Sequence, residues 1–283
     1  TIPARVEGST DRLLELFSDA GVHGTFFVLG WVAERFPQLV QRIAAAGHEL
    51  ASHGYWHRLV YDITPDAFRA DVQRSREVIE QASGVQVTAY RAPSFSVNHR
   101  SLWALDVLAE LGFTIDSSIF PVRHDRYGIP DARLEPHRIE TAAGVITEFP
   151  PSVWQLGRFN LPIAGGGYFR LYPLNMTLRG IAAVLNAQRP FMFYLHPWEV
   201  DPDQPPVNGV GWKRRWRHTV GLRCTELKLK GLLKSVHFDT LSATLETYRQ
   251  NESLVTIQPQ RLDQPISQGA STACIVNSAS DSF

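Results

Sequence analysis

The sequence predicts an α/β fold in which parallel strands alternate with helices. Short apolar runs of strand length, such as residues 23–29 and 48–53, alternate with helical patterns of about 10 to 15 residues. Several polar residues directly follow the predicted strands. In a β/α barrel the chemistry lies at the carboxyl-terminal ends of the strands, so these polar residues are the first candidates for a functional site.

Bulk composition argues against several classes of protein. The chain has 283 residues, and its 28 basic residues balance its 28 acidic residues, so no overall field attracts it to nucleic acid or to an anionic membrane. No apolar run reaches the ~18 residues that a membrane span requires. The two cysteines, Cys224 and Cys274, lie far apart, which argues against a disulfide framework and a cysteine-based zinc site. We therefore expect no nucleic-acid partner and no membrane span.

The elements of the first half follow from helix caps and apolar spacing. Ser9, Thr10 and Asp11 can cap a first helix that runs to about Ala20, and Gly21 is a good stop. The later predicted elements are a strand at 23–29, a helix at 34–46, a strand at 48–53, a helix at 64–84, a strand end at 89–93, a helix at 100–111 and a strand at 113–116.

The pattern changes beyond residue 120. Residues 120–170 are rich in Pro and Gly and are predicted to be an insertion of loops and short antiparallel strands within a domain of residues 1–250. Residues 208–218 are basic and rich in Trp, and we interpret them as a solvated loop whose Trp side chains turn inward. Residues 251–283 are rich in Ser, Gln, Thr and Pro, which predicts a disordered polar tail. The other predicted elements are helices at 173–187 and 225–233 and strands at 190–195 and 236–238.

A histidine pair at the end of the second strand is the first candidate for chemistry. His53 and His57 stand four residues apart where this strand is expected to turn into a helix, and two imidazoles on one helical face can bind one metal ion. The chain has ten histidines, so such spacings also arise by chance. The spacing alone leaves open a metal site and a pair of ordinary surface or core histidines.

Three other polar residues follow predicted strands. Arg91, before Ala92 and Pro93, can point into a pocket and bind a carboxylate with two hydrogen bonds, or it can form a structural salt bridge. His196 is placed for acid–base catalysis or for bonding a backbone carbonyl. Asp116 can orient a histidine or cap a turn. Each residue, taken alone, leaves both roles open.

Together these elements resemble the NodB-homology polysaccharide deacetylases of carbohydrate esterase family 4. The family's metal-binding H-S/T-x-x-H motif corresponds to residues 53–57, with Gly54 in the variable place. Its R-x-P element corresponds to residues 91–93, and its late L-H element to residues 195–196. Longer stretches, at 90–96, 116–121, 165–170 and 193–199, resemble the branch encoded with exosortase and exopolysaccharide genes. The resemblance covers roughly residues 1–240.

The resemblance implies a distorted (β/α)7-type barrel that removes N-acetyl groups from amino sugars of a polysaccharide. His53 and His57 would supply two ligands of a divalent transition metal, for which zinc is expected and cobalt, nickel or iron are also suited. This metal would polarise the acetamide carbonyl and lower the pKa of a bound water. Arg91 would orient the catalytic base, and His196 would protonate the leaving amine with Asp116 as its orienting partner.

One motif of the family is absent from the sequence. The family carries an Asp pair on its first strand, where one Asp is the base and the other is the third metal ligand. Asp11 lies in a predicted helix and cannot replace them. The motif would fall upstream of Thr1, so we expect the first strand, the base and the third ligand to be missing from this chain.

Substrate contacts are predicted near the strand ends. The backbone N–H near Ser94 could help to hold an oxyanion, and the rings of Phe95, Tyr168 and Trp198 could stack on sugars, although aromatic residues more commonly lie in a core. The polar loop at 123–128 is a candidate for substrate recognition. Within the Trp-rich basic stretch, residues 213–218 could touch an anionic polysaccharide.

Three functions remain open at the level of the sequence. The first is hydrolysis of N-acetyl groups on a polysaccharide. The second is carbohydrate binding without catalysis, because the first motif of the family is absent. The third is hydrolysis of small linear or cyclic amides by the same fold.

Overall fold

The computed structural model describes residues 5–205, 211–259 and 273–278, and of residues 213–215, 217 and 273–278 it describes the backbone alone. The helices are α1 (Val6–Ala20), α2 (Gly30–Arg35), α3 (Pro37–Ala45), α4 (Pro65–Ser83), α5 (Trp103–Glu110), α6 (Gly166–Leu171), α7 (Leu174–Asn186), α8 (Trp212–Thr219), α9 (Leu222–Ser235) and α10 (Leu241–Asn251). The strands are β1 (Thr25–Val28), β2 (Glu49–Ser52), β3 (Ala89–Tyr90), β4 (Ile115–Asp116), β5 (His137–Thr141), β6 (Gly144–Glu148), β7 (Val153–Leu156), β8 (Phe159–Pro162), β9 (Phe191–Leu195), β10 (Phe238–Asp239), β11 (Thr256–Ile257) and β12 (Ala273–Ser278).

Local sequence explains where the early helices begin and end. Helix α4 begins after Thr64, whose hydroxyl oxygen accepts a hydrogen bond from the N–H of Ala67 at 3.3 Å, with Pro65 as the first helical residue. Helix α1 ends at Gly21, which takes a left-handed φ of 63° that costs glycine little. Both predicted helix ends are confirmed, although α1 begins at Val6, before the expected cap.

The predicted α/β class is confirmed by the sheet. Strands β1, β2, β3, β4 and β6 follow one another as parallel neighbours, with helices between the first four. Strand β6 also pairs antiparallel with β5, which pairs with β11, whereas β7 and β8 form a separate hairpin. The segment predicted as an insertion therefore adds strands to the main sheet.

Strand β12 lies between β1 and β9 and runs parallel to both. Asn277 is the register partner of Phe26 on one side and of Leu195 on the other. The prediction of a disordered tail at 251–283 is therefore wrong for β11 and β12, while residues 260–272 and 279–283 lie outside the described residues. Because β12 pairs with β1 opposite β2, strand β1 has a partner on both sides.

Two apolar layers lie on opposite sides of the strands. Alternate residues of each strand face opposite ways, so one set packs against the helices and the other set meets inside the sheet. One cluster brings together an apolar residue from each of β1, β2, β3, β4 and β9, namely Phe27, Ala51, Ala89, Ile115 and Met192. Side chains from five strands can meet in this way only if the sheet curls, which is consistent with the predicted barrel.

The basic, Trp-rich segment of the second half differs from its predicted structure. Residues 212–219 form a helix where a loop was predicted, and Trp212 and Trp216 are 74% and 52% exposed instead of turning inward. Residues 208–210 of that stretch lie outside the described residues.

Within the described ranges, no helix combines the length and apolarity needed to cross a membrane.

Candidate metal and catalytic site

Parallel strands carry the candidate residues to one rim of the sheet. His53, Arg91 and Ser117 each follow the last residue of β2, β3 and β4, and those last residues are register partners. His196 follows the parallel strand β9 in the same way. The carboxyl ends of parallel strands meet on one side, so these residues lie along one edge of the sheet.

The His53–His57 segment is a turn, which corrects the expected helix. Gly54 has a φ of 75° and His57 a φ of 57°, both in the left-handed region. Asp71 of α4 holds this turn, because its carboxylate accepts hydrogen bonds from the N–H of Tyr55 at 2.6 Å and of Trp56 at 3.2 Å. The turn brings the two imidazole rings to 5.2 Å between centroids, in an edge-to-face arrangement.

The backbone of Arg91 fixes which nitrogen of His53 can bind a metal. The Nδ1 atom of His53 lies 2.8 Å from the carbonyl oxygen of Arg91. A carbonyl only accepts, so Nδ1 carries the hydrogen and Nε2 keeps a lone pair, the usual arrangement of a metal-binding histidine. His53 and His57 therefore suit two ligand positions of a divalent transition metal. Across the described ranges, no group of three or more His, Cys, Asp or Glu side chains is arranged to hold a metal ion.

The Arg91 side chain ties three strands together inside the sheet. Its Nε donates to the carbonyl oxygen of Ser117 at 3.0 Å, and its Nη2 donates to the Ser117 hydroxyl at 2.7 Å and contacts the Met192 sulfur at 2.7 Å. The guanidinium also lies over the ring of Phe27, 4.4 Å from its centroid. Arg91 is only 2% exposed, so its charge acts in the interior next to the rim.

Asp116 forms a buried pair with Glu148, the residue opposite it on β6. Burial raises the pKa of Asp116 to about 6, although hydrogen bonds from Glu148 and Ser118 and the charge of Arg91 oppose this. Burial and then the charge of Asp116 raise the pKa of Glu148 well above its usual value. We therefore assign the shared proton to Glu148, which donates to Asp116. The Ile119 N–H donates to Oε1 of Glu148 at 3.0 Å, and the Ser118 hydroxyl donates to Oδ1 of Asp116 at 2.5 Å.

The carboxylate beside His196 is Glu199, which corrects the expected role of Asp116. The Nδ1 atom of His196 lies 3.2 Å from Glu199 Oε2, and its backbone N–H donates to the same oxygen at 2.9 Å. Arg170 donates from Nε to Glu199 Oε1 at 2.8 Å. Burial acts to raise the pKa of Glu199. The hydrogen bond from His196, its charge and the charge of Arg170 outweigh burial, so the pKa of Glu199 is lowered. Glu199 is therefore a carboxylate and orients the imidazole.

The aromatic candidates divide into core and rim. Phe95 is 9% exposed and packs edge-on against Phe120 and Tyr194, so the structure places it in the inner core instead of at a sugar-stacking position. Trp198 is half-buried, and the ring of His218 stacks on it at 4.4 Å with the planes 7° apart. Tyr168 is also half-buried and lies near Tyr172, so its predicted role in substrate binding stays a prediction.

Ser94 occupies a strained position at the rim. It lies in a short helical turn at Pro93–Phe95, with a φ of 52° and a ψ of 29°. A non-glycine residue in the left-handed region costs of order 1–3 kcal/mol, and such strain clusters at binding and catalytic sites. The Ser94 side chain is exposed, which suits its predicted place beside a substrate.

Three residues that hold the site were not predicted from the sequence. Asp71 and Glu148 act across the fold, and nothing in their local sequence marks them. Glu199 had a local signal, because it stands three residues after His196 and caps the short helical turn at Pro197–Val200. A search for acids three residues after a candidate histidine would have found it.

Family models match the chain in two parts. The polysaccharide deacetylase model matches residues 2–115, and a domain of unknown function, DUF3473, matches residues 117–246. His53, His57 and Arg91 fall in the first part, and His196 and Glu199 fall in the second.

Curated relatives match the first part of the chain. A peptidoglycan-N-acetylglucosamine deacetylase of Bacillus cereus is 31% identical over 98 residues, which is 34% of this chain and 36% of the relative. A chitooligosaccharide deacetylase of Sinorhizobium fredii is 34% identical over 106 residues, which is 35% of this chain and 44% of the relative. The chain thus spans less than half the length of these relatives.

A solved structure with a TM-score above 0.5 resembles this chain over most of its length. It is a crystal structure described as a polysaccharide deacetylase from Mycobacterium smegmatis, with a TM-score of 0.55 and 24% sequence identity. The match covers 86% of this chain and 77% of that one. At this identity the likeness establishes the shared fold.

Proposed function

We propose that the protein, whose residues 2–115 match the polysaccharide deacetylase family model, removes N-acetyl groups from amino sugars of a polysaccharide and uses a divalent metal to do so. The relatives named above are deacetylases of peptidoglycan and of chitooligosaccharide. The stretches that resemble the exosortase branch support a role in exopolysaccharide synthesis, and zinc is the metal that we expect.

One observation carries the proposal. His53 and His57 lie 5.2 Å apart between ring centroids, and the hydrogen bond to the Arg91 carbonyl leaves Nε2 of His53 as the metal-binding atom. This tautomer leaves Nε2 with the lone pair that a metal-binding histidine requires.

The chain's own residues account for two tasks in the reaction. A metal held by His53 and His57 would supply a Lewis acid for the acetamide carbonyl. Water would add to the acyl carbon and give up a proton to a carboxylate base of the kind that the family's Asp pair provides. His196, held by the Glu199 carboxylate, would give a proton to the amine as the amide C–N bond breaks, so that acetate and a free amino sugar leave. The backbone at Ser94 would lie beside the developing negative charge.

Acetate release tests this function. We expect a form of the protein that carries the family's Asp pair to release acetate from N-acetylated glucosamine oligomers when it is supplied with zinc, cobalt or nickel, and His53→Ala in that form to lose at least a hundredfold. His99→Ala is the matched control, because His99 is exposed and lies outside the candidate site. Equal release by His53→Ala and His99→Ala would refute the assignment.

A second function, carbohydrate binding without catalysis, has one observation in its favour. Within the described residues, the His53/His57 pair has no third His, Cys, Asp or Glu arranged to complete a metal site. This function predicts that the protein retains oligosaccharides without releasing acetate under any metal, and that His53→Ala retains them equally well.

A further inference from the structure

Helix α8 presents two indole rings to solvent. Trp212 and Trp216 stand four residues apart, so they lie on one side of the helix about 6 Å apart along its axis. They are 74% and 52% exposed, whereas Trp side chains are mostly buried in folded proteins. Such a pair of exposed rings needs a functional reason.

The sequence of the helix is strongly cationic. Its eight residues include one Lys and three Arg, with no acidic residue, although the whole chain has equal numbers of basic and acidic residues. This local charge complements an anionic partner. The two indoles are the only large apolar residues of the helix, so it lacks the broad apolar face of a membrane-surface helix.

The inner side of α8 is fixed beside the candidate catalytic histidine. His218 of α8 stacks on Trp198 at 4.4 Å, and Trp198 stacks near His196 at 5.8 Å between ring centroids. Arg170, which binds Glu199, also donates to the carbonyl oxygens of His218 and Val220 at 2.9 and 3.0 Å. Helix α8 therefore lies next to the rim that carries His196, with His218 on its inner side and the two indoles on its outer side.

We propose that α8 is a binding platform for an anionic polysaccharide, with Trp212 and Trp216 stacking on its sugar rings and the positive charge of the helix sequence attracting its acidic groups. The inference rests on the proposed function, which it narrows: the substrate carries carboxylate or other acidic groups as well as N-acetyl groups. A Trp ring offers a large apolar surface with one polar N–H, and a local excess of positive charge attracts an anionic ligand.

Binding of hyaluronate oligosaccharides to the full chain tests the proposal, because these contain both glucuronate and N-acetylglucosamine. We expect titration calorimetry to show binding at low salt that weakens at least tenfold in Trp212→Ala/Trp216→Ala and in Arg214→Gln/Arg215→Gln. Uncharged N-acetylglucosamine oligomers should bind at least tenfold more weakly than hyaluronate. Phe159→Ala is the control, since Phe159 is 68% exposed on the separate β7–β8 hairpin.

The outcomes separate this proposal from the proposed function. Binding that depends on both Trp residues supports it even if no acetate is released, and binding should persist in His196→Ala. Equal binding of hyaluronate by the double Trp variant and the wild type would overturn it. Trp-dependent binding to vesicles of anionic phospholipid, without binding to hyaluronate, would also overturn it and would assign α8 to a membrane surface.

Discussion

Replacing Glu148 by Gln should make the protein more stable at alkaline pH. The side chain lies fully buried opposite Asp116, and burial together with the charge of Asp116 raises the pKa of Glu148 well above its usual value. In Glu148→Gln the amide can donate to Asp116 as the protonated acid does, and its oxygen can still accept from the Ile119 N–H. The variant therefore keeps the contacts and loses the ionisation.

Proton binding by Glu148 determines how the free energy of unfolding changes with pH. A carboxyl group whose pKa is raised by folding contributes stability that is complete below its unfolded pKa of about 4.5, and this stability is lost as pH rises toward the folded pKa. One proton limits the loss to about 1.4 kcal/mol per pH unit. Wild type and Glu148→Gln should thus have similar free energies of unfolding near pH 4.5, and the gap should widen at up to about that slope above it.

Urea unfolding at a series of pH values between 4.5 and 9 measures this gap. The comparison is made between variants at each pH, because buried His48 and His137, whose pKa burial lowers to about 4, add an opposite loss of stability below pH 6.5. Glu140→Gln, an exposed carboxylate on β5, is the matched control and should follow the wild type. Parallel pH profiles for wild type and Glu148→Gln would refute the shared-proton assignment.

Three further predictions concern stability. Glu199→Gln leaves a buried arginine without its anion and should cost roughly 3–5 kcal/mol in urea unfolding, whereas Glu110→Gln, in an exposed ion pair, should cost less than about 1 kcal/mol; equal costs would contradict the burial argument. Gly165→Ala should destabilise more than Gly144→Ala, because both have φ near 140° but only the first puts a Cβ within 1.8 Å of a backbone oxygen of β9; similar melting temperatures would count against this packing. Deleting residues 260–283 removes β12 and should speed hydrogen exchange of amides in both β1 and β9, and unchanged exchange would show that β12 does not pair there.

The early half of the fold could be predicted because its signals are local. The cap at Thr64 and the stop at Gly21 depend on residues next to each other, and the structure has both. The same locality explains why the ends of β2, β3 and β9 could be named with the residues that follow them. The resemblance to the deacetylase family then joined these residues into one expected site, which the spacing of each motif alone did not.

The rest could not be predicted because it depends on distant partners. Strand β12 contains the short apolar run at 273–276, but the polar composition around it hid this run, and its partners lie about 35, 80 and 250 residues away. Glu148 meets Asp116 through a strand register that no local pattern encodes. Helix α8 lacks an apolar stripe, so its sequence indicated a loop, while contacts of Arg170 and Trp198 hold the helix in place.

Equilibrium binding of Zn²⁺ tests the central claim most directly, because it measures the histidine pair without requiring turnover. We predict one zinc bound per chain by calorimetry and metal analysis, with the affinity reduced at least tenfold in both His53→Ala and His57→Ala and unchanged in His99→Ala. Stoichiometric zinc in His53→Ala at the wild-type affinity, or no zinc bound by the wild type, would contradict the claim that these two histidines form the metal site.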